Sequence, residues 1–151
     1  MTTGQRSMRL AALCVVCSVS VAWGAALSDA IKKDLETSKY VYIASTRKDG
    51  SLSKPAEIWF FYHEGSVYVG TPAKSWRARR IKAGRPAAKI WVGKPDGPSF
   101  MATGTIVNDP ALQQQMFTTF AKKYPDGWTR HEAVFREGFK DGTRVLIRYA
   151  P

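Results

Sequence analysis

Between Tyr40 and Val107 the hydrophobic positions of this 151-residue chain come in short β-branched and aromatic runs separated by turn residues. Tyr40 to Thr46 (YVYIAST) predicts a strand, and Lys48-Asp49-Gly50-Ser51 supplies the Asp-Gly turn of a hairpin. The returning strand is expected from Leu52 to His63, with Pro55 marking an edge or a bulge; Glu64-Gly65-Ser66 then turns the chain into a third strand ending at Thr71. Ser75 is an N-cap for a short helix, WRARRIKAG, closed by Gly84 and blocked by Pro86, with Ala78 and Ile81 as its inward pair. A fourth strand, Ala87 to Val92, turns through Lys94 to Pro98 into a fifth, Phe100 to Val107.

Helical spacing appears in three further places. Ser28 caps a helix that buries Ile31 and Leu35, and Asp109-Pro110 starts a longer one through Tyr124 with Leu112, Met116 and Phe120 on one face. Pro125-Asp126-Gly127 is expected to break that helix before a weaker helical stretch from Thr129 to Phe139. Thr143 to Tyr149 closes the chain as a strand with Val145, Ile147 and Tyr149 on one side. Six short strands with connections too short for parallel crossovers predict a mainly β (α+β) domain, a six-stranded antiparallel split or closed β-barrel with short helices.

The amino-terminal segment stands outside this domain. Arg6 and Arg9 precede an uncharged apolar run that ends in the small residues Ala22, Gly24, Ala25 and Ala26, the layout of a secretory signal peptide. Residues 1–26 are therefore expected to be the signal and 27–151 the domain, which makes the protein exported, periplasmic or secreted; an uncleaved membrane anchor is the alternative. After cleavage no membrane span is expected. Cys14 and Cys17 leave with the signal, so the mature domain must be held by its core without a disulfide.

Charge then singles out one region. The mature chain keeps 21 basic and 12 acidic side chains, and between Glu64 and Asp96 there is no acid at all, while Lys74, Arg77, Arg79, Arg80, Lys82, Arg85, Lys89 and Lys94 lie there. Such a field attracts phosphates, nucleic acid or anionic lipid. The strand end at Thr71 and the capped helix start at Ser75 bring backbone N–H groups and guanidinium groups to one place, which favours a phosphate. Ser75, Arg77 and Lys74 are the candidate ligands.

At these residues the chain resembles the flavin-binding split barrels related to pyridoxamine 5′-phosphate oxidase. VYVGT, ending at Thr71, followed by PAKSWRARRIKAGRPAAKIWV, is similar to that family's strand, Ser-Arg-Lys element and short helix, with Ser75 on the family serine and Arg77 as a basic equivalent of the lysine. KPAEIWFFY resembles the strand that lines the flavin ring, and TRVLIRYAP looks like the final strand. The resemblance implies a split barrel that binds FMN, with a deazaflavin or haem as alternatives, through Lys54, Ile58, Trp59, Phe60, Thr71, Lys74, Ser75, Trp76 and Arg77. It implies an oxidoreductase of unnamed substrate, or a non-enzymatic haem or tetrapyrrole module.

Two positions depart from the family pattern: Trp76 replaces an arginine, and Phe60 stands near a phosphate-binding lysine. The family's terminal Arg-Trp-Arg element is absent, which argues against pyridoxamine phosphate oxidase activity itself. A homodimer is expected, because one barrel of this size makes only a shallow cleft. Export disfavours nucleic acid as a partner. The two histidines, His63 and His131, lack metal spacing, so no metal site is expected, although His63 is the candidate axial ligand if haem is bound.

Overall fold

The computed structural model describes residues 26–151. The expected signal segment and both cysteines lie outside the described residues. Four helices and seven strands follow one another as α1 (Asp29–Thr37), β1 (Val41–Ser45), β2 (Ala56–Ile58), β3 (Phe61–His63), β4 (Ser66–Pro72), α2 (Trp76–Lys82), β5 (Ala87–Val92), β6 (Ser99–Val107), α3 (Pro110–Lys123), α4 (Pro125–Asp141) and β7 (Arg144–Ala150). The expected caps are in place: Ser28 Oγ accepts from the Ile31 N–H, Ser75 Oγ from Ala78, and Asp109 Oδ1 from Ala111 and Leu112. Among the described residues no helix is long and apolar enough to cross a membrane.

All strands belong to one sheet of order β2-β1-β5-β6-β7-β4-β3, antiparallel at each pairing. Its two outer strands are neighbours in sequence, joined only by Trp59 and Phe60. In a flat sheet six strand spacings would hold these edges roughly 29 Å apart, whereas the step from Ile58 to Phe61 spans at most about 11 Å. The sheet must therefore curl until its edges meet, and this is what makes it a barrel. The count of six strands is corrected to seven for the same reason: the run from Leu52 to His63 is one strand in sequence but two in space. Its first half pairs with β1 and its second with β4, while Leu52 contributes only an isolated bridge to Thr46.

Backbone groups released at this break need partners. The Phe60 N–H donates to Tyr124 Oη at 3.1 Å, and the Tyr124 hydroxyl donates to the Lys39 carbonyl at 2.6 Å. Lys123 Nζ donates to the Phe60 carbonyl at 3.2 Å. The joint between α3 and α4 thus caps the bend of a strand more than sixty residues earlier.

Strand alternation separates two cores. Val67, Val69, Ile147 and Tyr149 point into the barrel with Val41, Ile43, Ile90 and Val92, while Tyr68, Leu146 and Phe61 face outward beneath Met116, Phe117, Phe120 and Phe135 of α3 and α4. The strand β4 is buried on both faces from Ser66 to Thr71 as a result. The expected break between the two helices is present but narrower: α3 ends at Lys123, and Pro125 already opens α4, four residues before the expected Thr129, as suits proline at a first helical turn. Gly127 lies inside that helix because the Trp59 ring packs on it; a Cβ there would come within 2.5 Å of Trp59 Cη2.

Candidate functional site

The helix α2 covers one end of the barrel. Ala78 is fully buried, and Ile81 reaches Gly104 of β6, where a Cβ would lie 2.7 Å from Ile81 Cδ1. This seating turns Arg77 inward. Beneath the helix start a cavity of about 390 Å³ opens between α2, β1, β4 and the approach to β2. Four cationic side chains line it, Arg47, Lys54, Arg77 and Arg80, together with Ser45, Ser53, Thr71 and Ser75, and no carboxylate does.

Each group has a distinct state. Arg80 Nη1 donates to Ser45 Oγ at 2.6 Å, which fixes its guanidinium on the wall, and Ser45 N–H donates to Ser53 Oγ at 3.0 Å. Arg47 Nη1 donates to the Leu52 carbonyl at 2.9 Å. Arg77 is the unusual one: its Nη1 is buried with no hydrogen-bond partner, and burial lowers its pKa, an effect that the nearby Tyr149 hydroxyl partly opposes. Tyr149 Oη is itself buried without a partner, and burial raises its pKa. None of the four cations forms an ion pair among the described residues. A buried guanidinium without a counter-charge is costly, and an anion in the cavity relieves that cost.

Five of the nine residues expected from sequence, Lys54, Thr71, Ser75, Trp76 and Arg77, meet at this cavity. Trp76 stands at its mouth, 68% exposed, with the guanidinium carbons of Arg79 and Arg80 at 5.5 and 5.6 Å from its ring centre. Lys74 is exposed and does not line the cavity. Ile58 and Trp59 lie instead at a second depression of about 340 Å³. Phe60 is fully buried in the barrel core at the strand break. Arg80 belongs to the basic run that the sequence marks but is not among the nine expected ligands, and Arg47, Ser45 and Ser53 are not marked at all; the signals that point to them are polarity at inward positions of β1 and the helical spacing of Arg77 and Arg80.

Other features do less. The hollow of about 630 Å³ between the start of α1 and the β5–β6 pair is larger, but its wall holds no ionisable side chain. His63 on β3 has its Nδ1 3.0 Å from Gln115 Nε2 and lines neither the cradle nor the second depression. No cluster of three His, Cys, Asp or Glu suited to a metal occurs among the described residues.

No protein-family model matches the chain, and no curated protein matches it. Solved structures do. A putative pyridoxamine 5′-phosphate oxidase from Listeria innocua superposes with a TM-score of 0.58 at 13% identity, covering 82% of this chain and 91% of its own. HutZ, the heme storage protein from Vibrio cholerae, gives 0.59 at 15% identity, over 83% and 89%. An F420 reductase gives 0.54 at 22% identity, over 83% and 95%. Coverage this complete makes the likeness one of whole domains: the chain has the split β-barrel fold of the pyridoxamine 5′-phosphate oxidase-like proteins.

Proposed function

We propose that the cavity under α2 holds the phosphate of a ring cofactor, FMN in the first place, and that the chain is a flavin-dependent oxidoreductase. The observation that carries this reading is the buried, unpartnered Nη1 of Arg77 in a cavity lined by four cations and no acid. A phosphate dianion supplies the missing acceptor and is matched by the fork geometry of arginine. Ser75, Ser53 and Thr71 add hydroxyls able to donate to the remaining phosphate oxygens. Bound FMN would supply hydride transfer at its ring; the protein's part is to hold the phosphate, position the ring and exclude water. A phosphate-bearing deazaflavin suits the same cradle, in keeping with the F420 reductase among the neighbours.

Quenching of FMN fluorescence tests the reading. Arg77→Ala removes a charge-assisted bond worth about 2 kcal/mol, so affinity should fall roughly 30-fold. Riboflavin, which lacks the phosphate, should bind the two forms alike. Wild-type protein that neither binds added FMN nor quenches it ends the flavin reading. Haemin is titrated in parallel, because HutZ is a heme storage protein; a Soret shift abolished by His63→Ala, without FMN binding, would put a haem module in its place. In this reading the chain is exported and works as a homodimer whose second subunit covers the open side of the cavity. Light scattering after size exclusion tests the dimer, and cell fractionation tests the export.

A further inference from the structure

The second depression has a chemistry of its own. Its walls are Glu57 and Ile58 of β2, Trp59 at the strand break, His131 and Phe135 of α4, and Arg144 at the start of β7. At about 340 Å³ it is near the lower end of the range for small-molecule sites, roughly 300–1,000 Å³. A single-ring ligand is the size that fits.

Two of its walls are rigid. Arg144 lays its guanidinium carbon 4.2 Å from the centre of the buried Phe135 ring, and its stem packs so closely on α4 that a Cβ at Gly138 would fall 2.7 Å from Arg144 Cγ. Trp59 is stacked on Tyr124 at 4.5 Å and 6°, meets Phe120 edge-on at 5.7 Å and carries His131 against it at 5.8 Å. Among the described residues Arg144 has no ion-pair partner. Glu57, the one carboxylate on the wall, is occupied elsewhere: its Oε2 accepts from the Tyr42 hydroxyl at 2.5 Å. A held, half-buried guanidinium with free donors thus shares a small cavity with an indole wall and an imidazole.

We propose that this cavity binds a small planar monocarboxylate, its carboxylate on the guanidinium of Arg144 and its flat apolar body against Trp59. A carboxylate matches the paired N–H groups of one guanidinium. A phosphate dianion would meet the same single cation with the Glu57 charge close by, so the cavity selects against it. The proposal goes beyond the cofactor reading and stands without it.

Calorimetric titration of the full domain with benzoate, and with benzamide as its uncharged isostere, tests it. Benzoate should bind at least about tenfold more tightly than benzamide, as a charge-assisted pair requires. Arg144→Gln should erase that difference, while Glu57→Gln, an exposed substitution that removes a like charge, should tighten benzoate roughly twofold to threefold. Glu57→Gln also keeps the test open if Arg144→Gln fails to fold. Arg77→Ala should leave benzoate binding unchanged. The proposal is overturned if benzoate does not bind at millimolar concentration or if benzamide binds as well. It is equally overturned if Glu57→Gln has no effect or weakens binding, or if Arg77→Ala abolishes it, which would place the anion in the α2 cradle. Wild-type protein that binds benzoate but not FMN would end the cofactor reading alone.

Discussion

Tyr124→Phe removes one oxygen atom and tests whether the barrel is closed by the hydroxyl at its strand break. The ring contacts remain, because Trp59 and Tyr40 stack on the ring faces and not on the oxygen. Three hydrogen-bond contacts are lost: from the Phe60 N–H at 3.1 Å, to the Lys39 carbonyl at 2.6 Å, and a longer one to the Phe60 carbonyl at 3.3 Å, which keeps Lys123 Nζ as a donor. Phe60 is fully buried, so its N–H has no route to water and bears the cost of an unpaired buried donor, about 1–3 kcal/mol. Lys39 lies nearer the surface and its carbonyl can turn to solvent, adding roughly 0.5 kcal/mol. The expected loss is about 1.5–3.5 kcal/mol, read as a lower urea midpoint at unchanged slope, with tryptophan fluorescence and circular dichroism giving the same transition. Tyr40→Phe is the control, since that phenol makes no hydrogen bond among the described residues. A Tyr124→Phe loss below about 0.5 kcal/mol, or one no larger than the control's, would refute the idea that this hydroxyl satisfies the break.

Gly127→Ala should destabilise by about 1–3 kcal/mol although alanine is the better helix former, because its methyl enters the space of the Trp59 ring; a neutral or stabilised variant in the same urea assay would contradict the packing. Burial against Phe60 pushes the Lys123 ammonium down to about 8 from its ordinary 10.5. Between these values the unfolded chain holds more protons than the folded one, so unfolding free energy should rise from about pH 8 to about pH 9.5, before tyrosines ionise. Lys123→Met should flatten that rise, and an equal slope in both proteins would show that another group causes it.

What could be read from sequence and what could not divides by the distance over which each choice is made. The caps Ser28, Ser75 and Asp109 act on residues two or three places away, so their helix starts follow from the chain alone. The inward alternation of Val145, Ile147 and Tyr149 is equally local, and it places them correctly in the barrel. The break after Ile58 is different, because the residues that satisfy it, Tyr124 and Lys123, are more than sixty positions away. Nothing in LSKPAEIWFFYH marks a strand that must leave one sheet edge and join the other. The same blindness divided the candidate site. Thr71, Ser75, Trp76 and Arg77 converge because α2 follows β4 directly, and Lys54 joins them from the segment that leads into β2. Ile58, Trp59 and Phe60 were grouped with them as one run along a strand, yet the bend sends Phe60 into the core and Trp59 to α4. The closure that makes the barrel is therefore also what divides one expected site into two: a cationic cradle on one side of β2, and a smaller cavity beside Arg144 on the other.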